Sequence, residues 1–104
     1  MGSGDLLVLA TPALVSMMEN VAMSLAATSL SEADTTVGSE INTTHERPSA
    51  VGATIEVTAT LIAVEGRKMS FSIEASDANN IIGRATHTRF VVNREKFMSK
   101  LPKA

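Results

Sequence analysis

Glu19 is the residue whose type and position most suggest chemistry. It lies within a run of apolar and small residues from Pro12 to Ala26. At helical spacing it stands at the edge of a predicted apolar face made of Leu14, Met17, Met18, Val21 and Leu25. A carboxylate in that position is poorly solvated, which is typical of an ion pair or of acid, base or nucleophilic chemistry. Taken alone, a helix-edge Glu that extends to water is the simpler interpretation.

Length, composition and charge limit the number of domains, the kinds of partner and the kinds of active site that the chain can have. A length of 104 residues, 44% of them hydrophobic, predicts one core and hence one domain over residues 1–104. The formal net charge is −2 and the basic residues are scattered, so we expect no nucleic-acid partner. The absence of cysteine excludes thiolate metal sites and a Cys nucleophile, and it suits a reducing cytoplasm. No apolar segment is long enough to span a bilayer, so we expect no membrane partner.

The hydrophobic pattern predicts one long helix followed by an antiparallel meander. Thr11 and Pro12 are typical of an N-cap and a first helical residue, and the helix is predicted to end near Ser29. Apolar and polar residues then alternate as in strands, with turns at Glu65-Gly66 and Asp77 to Asn80. The predicted strands are 37–45, 54–64, 69–76 and 81–92, with a short helix over 94–101. This order indicates an α+β fold in which a sheet wraps one helix.

Four motifs occur in a fixed order and cover nearly the whole chain. They are Gly2 to Glu19, Val37 to His45, Val64 to Arg67 and Thr86 to Phe97. Several motifs at matching spacing are more specific than any one of them. The set resembles the hotdog-fold acyl-CoA thioesterases of the fluoroacetyl-CoA thioesterase type. The resemblance implies a homodimer or higher oligomer whose active sites lie at the dimer interface, and the absence of cysteine leads us to expect a cytoplasmic location. It also implies an acyl-CoA substrate, with no cofactor apart from the coenzyme A of the substrate.

The resemblance also implies roles for individual residues. The family's catalytic Thr, Glu and His correspond to Thr11, Glu19 and His45, with no metal among them. Its Gly before the His-bearing strand corresponds to Gly38, whose backbone N–H is expected to bind the thioester oxygen. Arg89 is a second candidate for substrate binding, through a phosphate of CoA, although an interface ion pair is the simpler interpretation.

The three residue types suit thioester hydrolysis. Glu19 can attack the carbonyl carbon or activate water, and Thr11 can orient that carboxylate in addition to capping the helix. His45 can relay a proton to water or thiolate, because an imidazole titrates near neutrality; without the family match, a structural strand-end His would be the simpler interpretation. His87 lies between two threonines in a strand predicted to be central, which favours a structural or interface role.

Some positions depart from the family pattern. Members carry an additional N-terminal segment with a first strand, whereas this chain begins after it, so we expect a sheet without that strand. Arg47 stands where the family has a small residue, and Ala85 and Thr88 replace a Gly and a Glu. A non-catalytic acyl-CoA-binding or structural homologue therefore stays open as an alternative. A hotdog hydratase ranks third, because no Asp is suitably spaced from a His.

Overall fold

The computed structural model describes residues 8–102 and contains two helices and four strands within them. The long helix is α1, Thr11–Ala27, and the short one is α2, Arg94–Ser99. The strands are β1 Asp34–His45, β2 Glu56–Glu65, β3 Lys68–Ser76 and β4 Ile81–Asn93. The predicted order of elements and the α+β class are therefore confirmed. Within residues 8–102 no helix is long and apolar enough to cross a membrane.

The four strands form one antiparallel sheet in the order β1-β4-β3-β2. β4 is central, as predicted for the strand that carries His87, while β1 and β2 are the edges of this sheet. Helix α1 packs across one face of the sheet and contacts all four strands. Side chains that point toward α1 are therefore buried, whereas those on the opposite face meet solvent.

The face that α1 buries differs from the predicted one. Leu14, Met18, Ala22 and Ala26 are buried, whereas Leu25 is 37% exposed. The prediction was thus wrong for Leu25, whereas Met17 and Val21 are partly buried. Hydrophobicity favours large residues, while the sheet accepts small ones that let the helix approach closely. Gly83 on β4 shows how tight this contact is: a Cβ atom there would lie 2.9 Å from Leu14 Cδ2.

The alternation predicted for β3 is confirmed. Met69, Phe71, Ile73 and Ala75 are all buried, and burial of a ring such as that of Phe71 contributes about 1.5–3 kcal/mol. The β2–β3 turn is made by Gly66 and the following residue, with Gly66 at a φ of 60°, a conformation that other residues rarely adopt.

The predicted alternation of apolar and polar residues along the strand 54–64 implies that Leu61 and Ala63 face inward, and this was wrong for the second half of β2. Leu61 and Ala63 do not continue an inward-facing row, because the register with β3 shifts between them and both side chains are exposed. An irregularity of this kind changes the alternation that sequence analysis assumes.

A bulge in β1 determines which of its residues face α1. Gly38 pairs with Arg89, and Glu40 pairs with Thr88, which is directly adjacent to Arg89 in β4. Two steps along β1 thus correspond to one step along β4, so Ser39 is an extra residue in β1. Side chains alternate faces along a strand, and one extra residue exchanges the two faces beyond it. Gly38 before the bulge and His45 after it therefore both face α1, although their spacing of seven residues would place them on opposite faces of a regular strand.

The start of α1 also differs from prediction. The N-cap is Ala10, with no side-chain cap hydrogen bond, and Thr11 is the first helical residue. Thr11 was therefore wrongly assigned as the capping residue, and its hydroxyl is used elsewhere. α2 does have a side-chain cap, because Asn93 accepts a hydrogen bond from the backbone N–H of Lys96.

Candidate active site

Thr11 and His45 form a direct contact between the start of α1 and the end of β1. The Thr11 hydroxyl lies 2.9 Å from Nδ1 of His45. The other ring nitrogen of His45, Nε2, is shielded from solvent and has no hydrogen-bond partner among residues 8–102. An imidazole held by one nitrogen, with its second nitrogen unpaired among the described residues, is in position to exchange a proton with a substrate or another group.

A shallow open groove leads to this pair. It has a volume of about 310 Å³ and is lined by Thr11 and His45 together with Leu9, Arg47 and Pro48. Arg47, whose side chain is exposed, thus lies at the edge of the groove. The groove gives a small molecule access to both functional groups.

Glu19 lies in a second cluster, around Gly38. A Cβ atom on residue 38 would lie 3.6 Å from Glu19 Oε2 and 3.2 Å from both Arg89 Nη1 and His87 Cε1. The missing side chain of Gly38 thus leaves a space that is bordered by a carboxylate, a guanidinium and an imidazole. The φ of Gly38 is not positive, so the reason for a glycine here is the close approach of these side chains: a Cβ atom would push the Arg89 or His87 side chain aside by a few tenths of an ångström.

Arg89 is a buried cation with fixed partners. It is 6% exposed; its Nε donates to Thr36 Oγ1 at 2.7 Å, and its Nη2 donates to the Thr36 carbonyl at 2.9 Å. Burial lowers the pKa of the Arg89 guanidinium, and the nearby Glu19 carboxylate opposes that change. The Arg89 charge is therefore compensated by Glu19 and by oxygen acceptors on β1.

His87 is the third member of this cluster and is only 2% exposed. Its Nδ1 lies 2.8 Å from the Glu40 carbonyl, and its Nε2 lies 3.2 Å from Arg89 Nη1. Its ring also packs near Phe71, with ring centroids 6.3 Å apart. The predicted central and structural location of His87 agrees with these contacts.

The structure therefore brings the predicted site residues together in two groups. Thr11 pairs with His45, and Glu19 lies with Gly38 and Arg89. The two groups are separated along α1, because the eight residues from Thr11 to Glu19 correspond to about 12 Å of helix. In a single chain Thr11 thus contacts His45 and not Glu19, contrary to the predicted pairing of its hydroxyl with the carboxylate.

Thr36 and the Glu40 carbonyl were not identified from the sequence. Thr36 is buried and accepts two hydrogen bonds from Arg89. One signal was available: Arg89 lies in the predicted strand 81–92, Thr36 directly precedes the predicted strand 37–45, and a buried Arg requires acceptors. The bulge that sets the register between these strands left no signal in the sequence.

Comparison with solved structures defines the class of protein. The chain superposes on a hot-dog-like protein from Thermanaerovibrio acidaminovorans with a TM-score of 0.81, at 21% identity and covering 93% of this chain and 75% of that one. It also superposes on a thioesterase superfamily member from Thermus thermophilus with a TM-score of 0.86, at 22% identity and covering 90% and 69%. One helix wrapped by an antiparallel sheet, with these neighbours, is the hotdog fold.

More similar proteins identify the family. The model of the family described as fluoroacetyl-CoA-specific thioesterase matches residues 1–95. The fluoroacetyl-CoA thioesterase of Streptantibioticus cattleyicolor is 37% identical over 94 residues, which cover 90% of this chain and 68% of that protein. A mutant of a fluoroacetyl-CoA-specific thioesterase, solved in complex with fluoroacetate and CoA, superposes with a TM-score of 0.87 at 36% identity, covering 94% and 77%. The chain belongs to the fluoroacetyl-CoA-specific thioesterase family, and its enzyme class is that of the acyl-CoA thioesterases.

Proposed function

We propose that this chain, as a single hotdog domain, hydrolyses a short acyl-CoA thioester to the free acid and CoA at a site formed between two copies of the chain. The observation that supports this proposal best is the division of the site residues. Thr11 and His45 form one half of a hydrolytic site, and Glu19 and Gly38 form the other, with about 12 Å of helix between Thr11 and Glu19. A twofold partner can bring the two halves together.

The geometry of β1 supports this arrangement. β1 is an edge of the sheet among the described residues, and an unpaired edge strand can pair with a copy of itself. If two β1 strands pair antiparallel about an axis near Ile41 and Asn42, Gly38 of one protomer lies opposite His45 of the partner subunit. Each dimer then has two sites, and each site contains Glu19 from one chain and the Thr11–His45 pair from the other.

The chemistry follows from the residue types. Glu19 attacks the thioester carbonyl carbon or takes a proton from the water that does so, and the Gly38 N–H stabilises the negative charge that develops on the carbonyl oxygen. The carbon–sulfur bond then breaks, and the Thr11-oriented His45 delivers a proton to the departing thiolate of CoA. If Glu19 attacks, the acyl group is first left on its carboxylate as an anhydride, and water then hydrolyses this anhydride to the free acid and regenerates Glu19. In either route water supplies the hydroxyl of the acid product and, overall, the proton of the thiol.

The first experiment measures thiol release from a panel of acyl-CoA thioesters with a thiol reagent, together with sedimentation at micromolar concentration. We expect hydrolysis of short acyl groups by a homodimer. If the protein is a folded monomer, the proposal of a shared site is ruled out. If it is a folded dimer that releases no thiol, the proposed hydrolytic function is ruled out.

The shared site has its own test, which uses mixed dimers. Glu19→Gln and His45→Ala chains are each expected to be inactive. When the two are refolded together in equal amounts, half of the dimers are mixed and each has one intact site, so about a quarter of wild-type activity returns. If each site were built within one chain, every site would carry a defect and no activity would return.

A non-catalytic acyl-CoA-binding homologue is the second candidate, and Arg47 favours it. A long cationic side chain at the edge of the groove near Thr11 and His45 could retain an anionic ligand. Calorimetric binding of a non-hydrolysable acyl-CoA analogue without thiol release from the panel would support this candidate.

A further inference from the structure

We propose that His87 is a positioning residue, which acts by fixing the guanidinium of Arg89 beside Glu19 over Gly38. The inference rests on the proposed function for its activity test only. Its structural basis is a continuous set of contacts that runs from the Glu40 carbonyl through His87 to Arg89, with Thr36 holding the other side of the guanidinium.

The partners of His87 determine which ring nitrogen carries its proton. The Glu40 carbonyl can only accept a hydrogen bond, so Nδ1, at 2.8 Å, must donate to it. The guanidinium of Arg89 can only donate, so Nε2, at 3.2 Å, must accept. Both contacts are satisfied only by the neutral imidazole with its proton on Nδ1. His87 thus donates from Nδ1 to the Glu40 carbonyl and presents Nε2 to Arg89 as a fixed acceptor.

This acceptor completes the immobilisation of Arg89. Thr36 alone holds the guanidinium along one edge, through Nε and Nη2. His87 holds Nη1, the nitrogen that lies 3.2 Å from the position of a Cβ atom on residue 38. Three hydrogen bonds to a planar group fix both its plane and its rotation, so Arg89 presents its remaining Nη1–H in one direction.

The fixed direction matters because Glu19 borders the same space. Its Oε2 lies 3.6 Å from that same Cβ position, and its charge is what opposes the effect of burial on Arg89. Without the His87 acceptor the guanidinium can rotate, and the charge beside Glu19 is no longer held in place. Displacement of a positioned group by about 1 Å can cost roughly a hundredfold in rate.

The test compares His87→Leu with His87→Gln, because both remove the ring but only Gln restores an acceptor. In His87→Leu we expect kcat to fall by about 10- to 100-fold with little change in KM, since the lost interaction acts on the chemical step. His87→Gln is expected to recover a large part of kcat. Thr86→Val is the matched control, because Thr86 is exposed on the opposite face of the same strand.

A second readout does not depend on turnover. Nitrogen NMR of the wild-type protein should show His87 protonated on Nδ1 and separate Nη signals for Arg89, which merge in His87→Leu as its guanidinium rotates. Finding the proton of His87 on Nε2 or on both nitrogens overturns the proposal. Folded His87→Leu with wild-type kcat also overturns it, as do Leu and Gln variants that are equally impaired. If the wild-type protein hydrolyses none of the thioesters in the panel, the proposed function is refuted. The NMR result then still decides the role of His87.

Discussion

The Thr11 hydroxyl and Nδ1 of His45 lie 2.9 Å apart, although 34 residues separate them in the chain. The contact joins the first turn of α1 to the last residue of β1. The two ring nitrogens of His45 therefore differ in their contacts. Nδ1 is held by the Thr11 hydroxyl, while the shielded Nε2 has no partner among residues 8–102. An imidazole held at one nitrogen in this way is suited to proton transfer through the other.

We predict that His45, and not His87, carries the pH dependence of hydrolysis. His45→Ala should lose about 10²- to 10⁴-fold in rate, the usual contribution of a proton-transferring side chain, and should flatten the alkaline limb of the pH–rate profile, because a group that delivers a proton to the leaving thiolate is inactive once it has lost that proton. His87→Ala should mainly affect stability, dimerisation or the position of Arg89, and should keep the shape of the profile. The opposite result, a flattened profile only for His87→Ala in a folded dimer, would contradict both assignments.

Glu19 provides the second prediction. Glu19→Gln keeps the size of the side chain but can neither attack a carbonyl nor take a proton, so turnover should fall by about 10²- to 10⁴-fold. The midpoint of chemical unfolding should change little, because the side chain is only partly buried. Glu56→Gln, on an exposed position of β2, is the control and should keep full activity. Near-wild-type hydrolysis by Glu19→Gln would rule out a chemical role for the carboxylate.

Two glycines should respond differently to the same substitution. In Gly38→Ala, the new methyl group would lie 3.2 Å from Arg89 Nη1 and His87 Cε1, so it should fill the space beside Glu19 and reduce kcat/KM. In Gly83→Ala, the methyl group would meet Leu14 Cδ2 and the Thr44 carbonyl at 2.9 Å, which should lower the free energy of unfolding by about 1–3 kcal/mol. Activity assays and denaturant titrations of both variants separate the two effects. Equal losses of stability would contradict the distinction.

Asp77 predicts a pH dependence of stability. The backbone N–H groups of Asn79 and Asn80 donate to its carboxylate and lower its pKa below the ordinary 3.8. The folded state thus favours the ionised form, so the stabilisation is present above the ordinary pKa and is lost as the pH falls through the lower, folded value. We expect wild type to exceed Asp77→Asn in unfolding free energy near neutrality and the difference to shrink as the pH falls below 3.8 and through the lower pKa of the folded state. A difference that is constant with pH would contradict this.

Local patterns carried enough information to predict much of the fold. The inward row on β3, including Phe71 and Ile73, follows from strict alternation over a strand that pairs on both sides. Helix α1 was equally predictable, because the run of apolar and small residues is long enough for several helical turns and Pro12 marks its start. Its buried face was not, because Ala22 and Ala26 are buried by how closely α1 approaches the sheet, and hydrophobicity does not encode that distance.

The sequence predicted candidate site residues but not how they are arranged. The motifs selected Thr11, Glu19 and His45, yet the partners of each depend on contacts between distant segments. Arg89 illustrates the limit: a long charged side chain is usually solvent-exposed, and only the register of β1 on β4 shows that Thr36 and His87 can satisfy it in the interior.

The bulge in β1 makes the number of residues in this strand more important than the identity of the inserted one. Ser39 is exposed and makes only a 3.4 Å hydrogen bond to the Thr88 carbonyl, so many side chains should serve at this position. Loss of one residue, in contrast, would turn His45 away from Thr11 while leaving every other amino acid unchanged. Position 39 of β1 should thus accept substitution but not deletion. Among variants of this chain, we expect an unchanged number of residues between Gly38 and His45 to identify the active ones more reliably than the identity of residue 39.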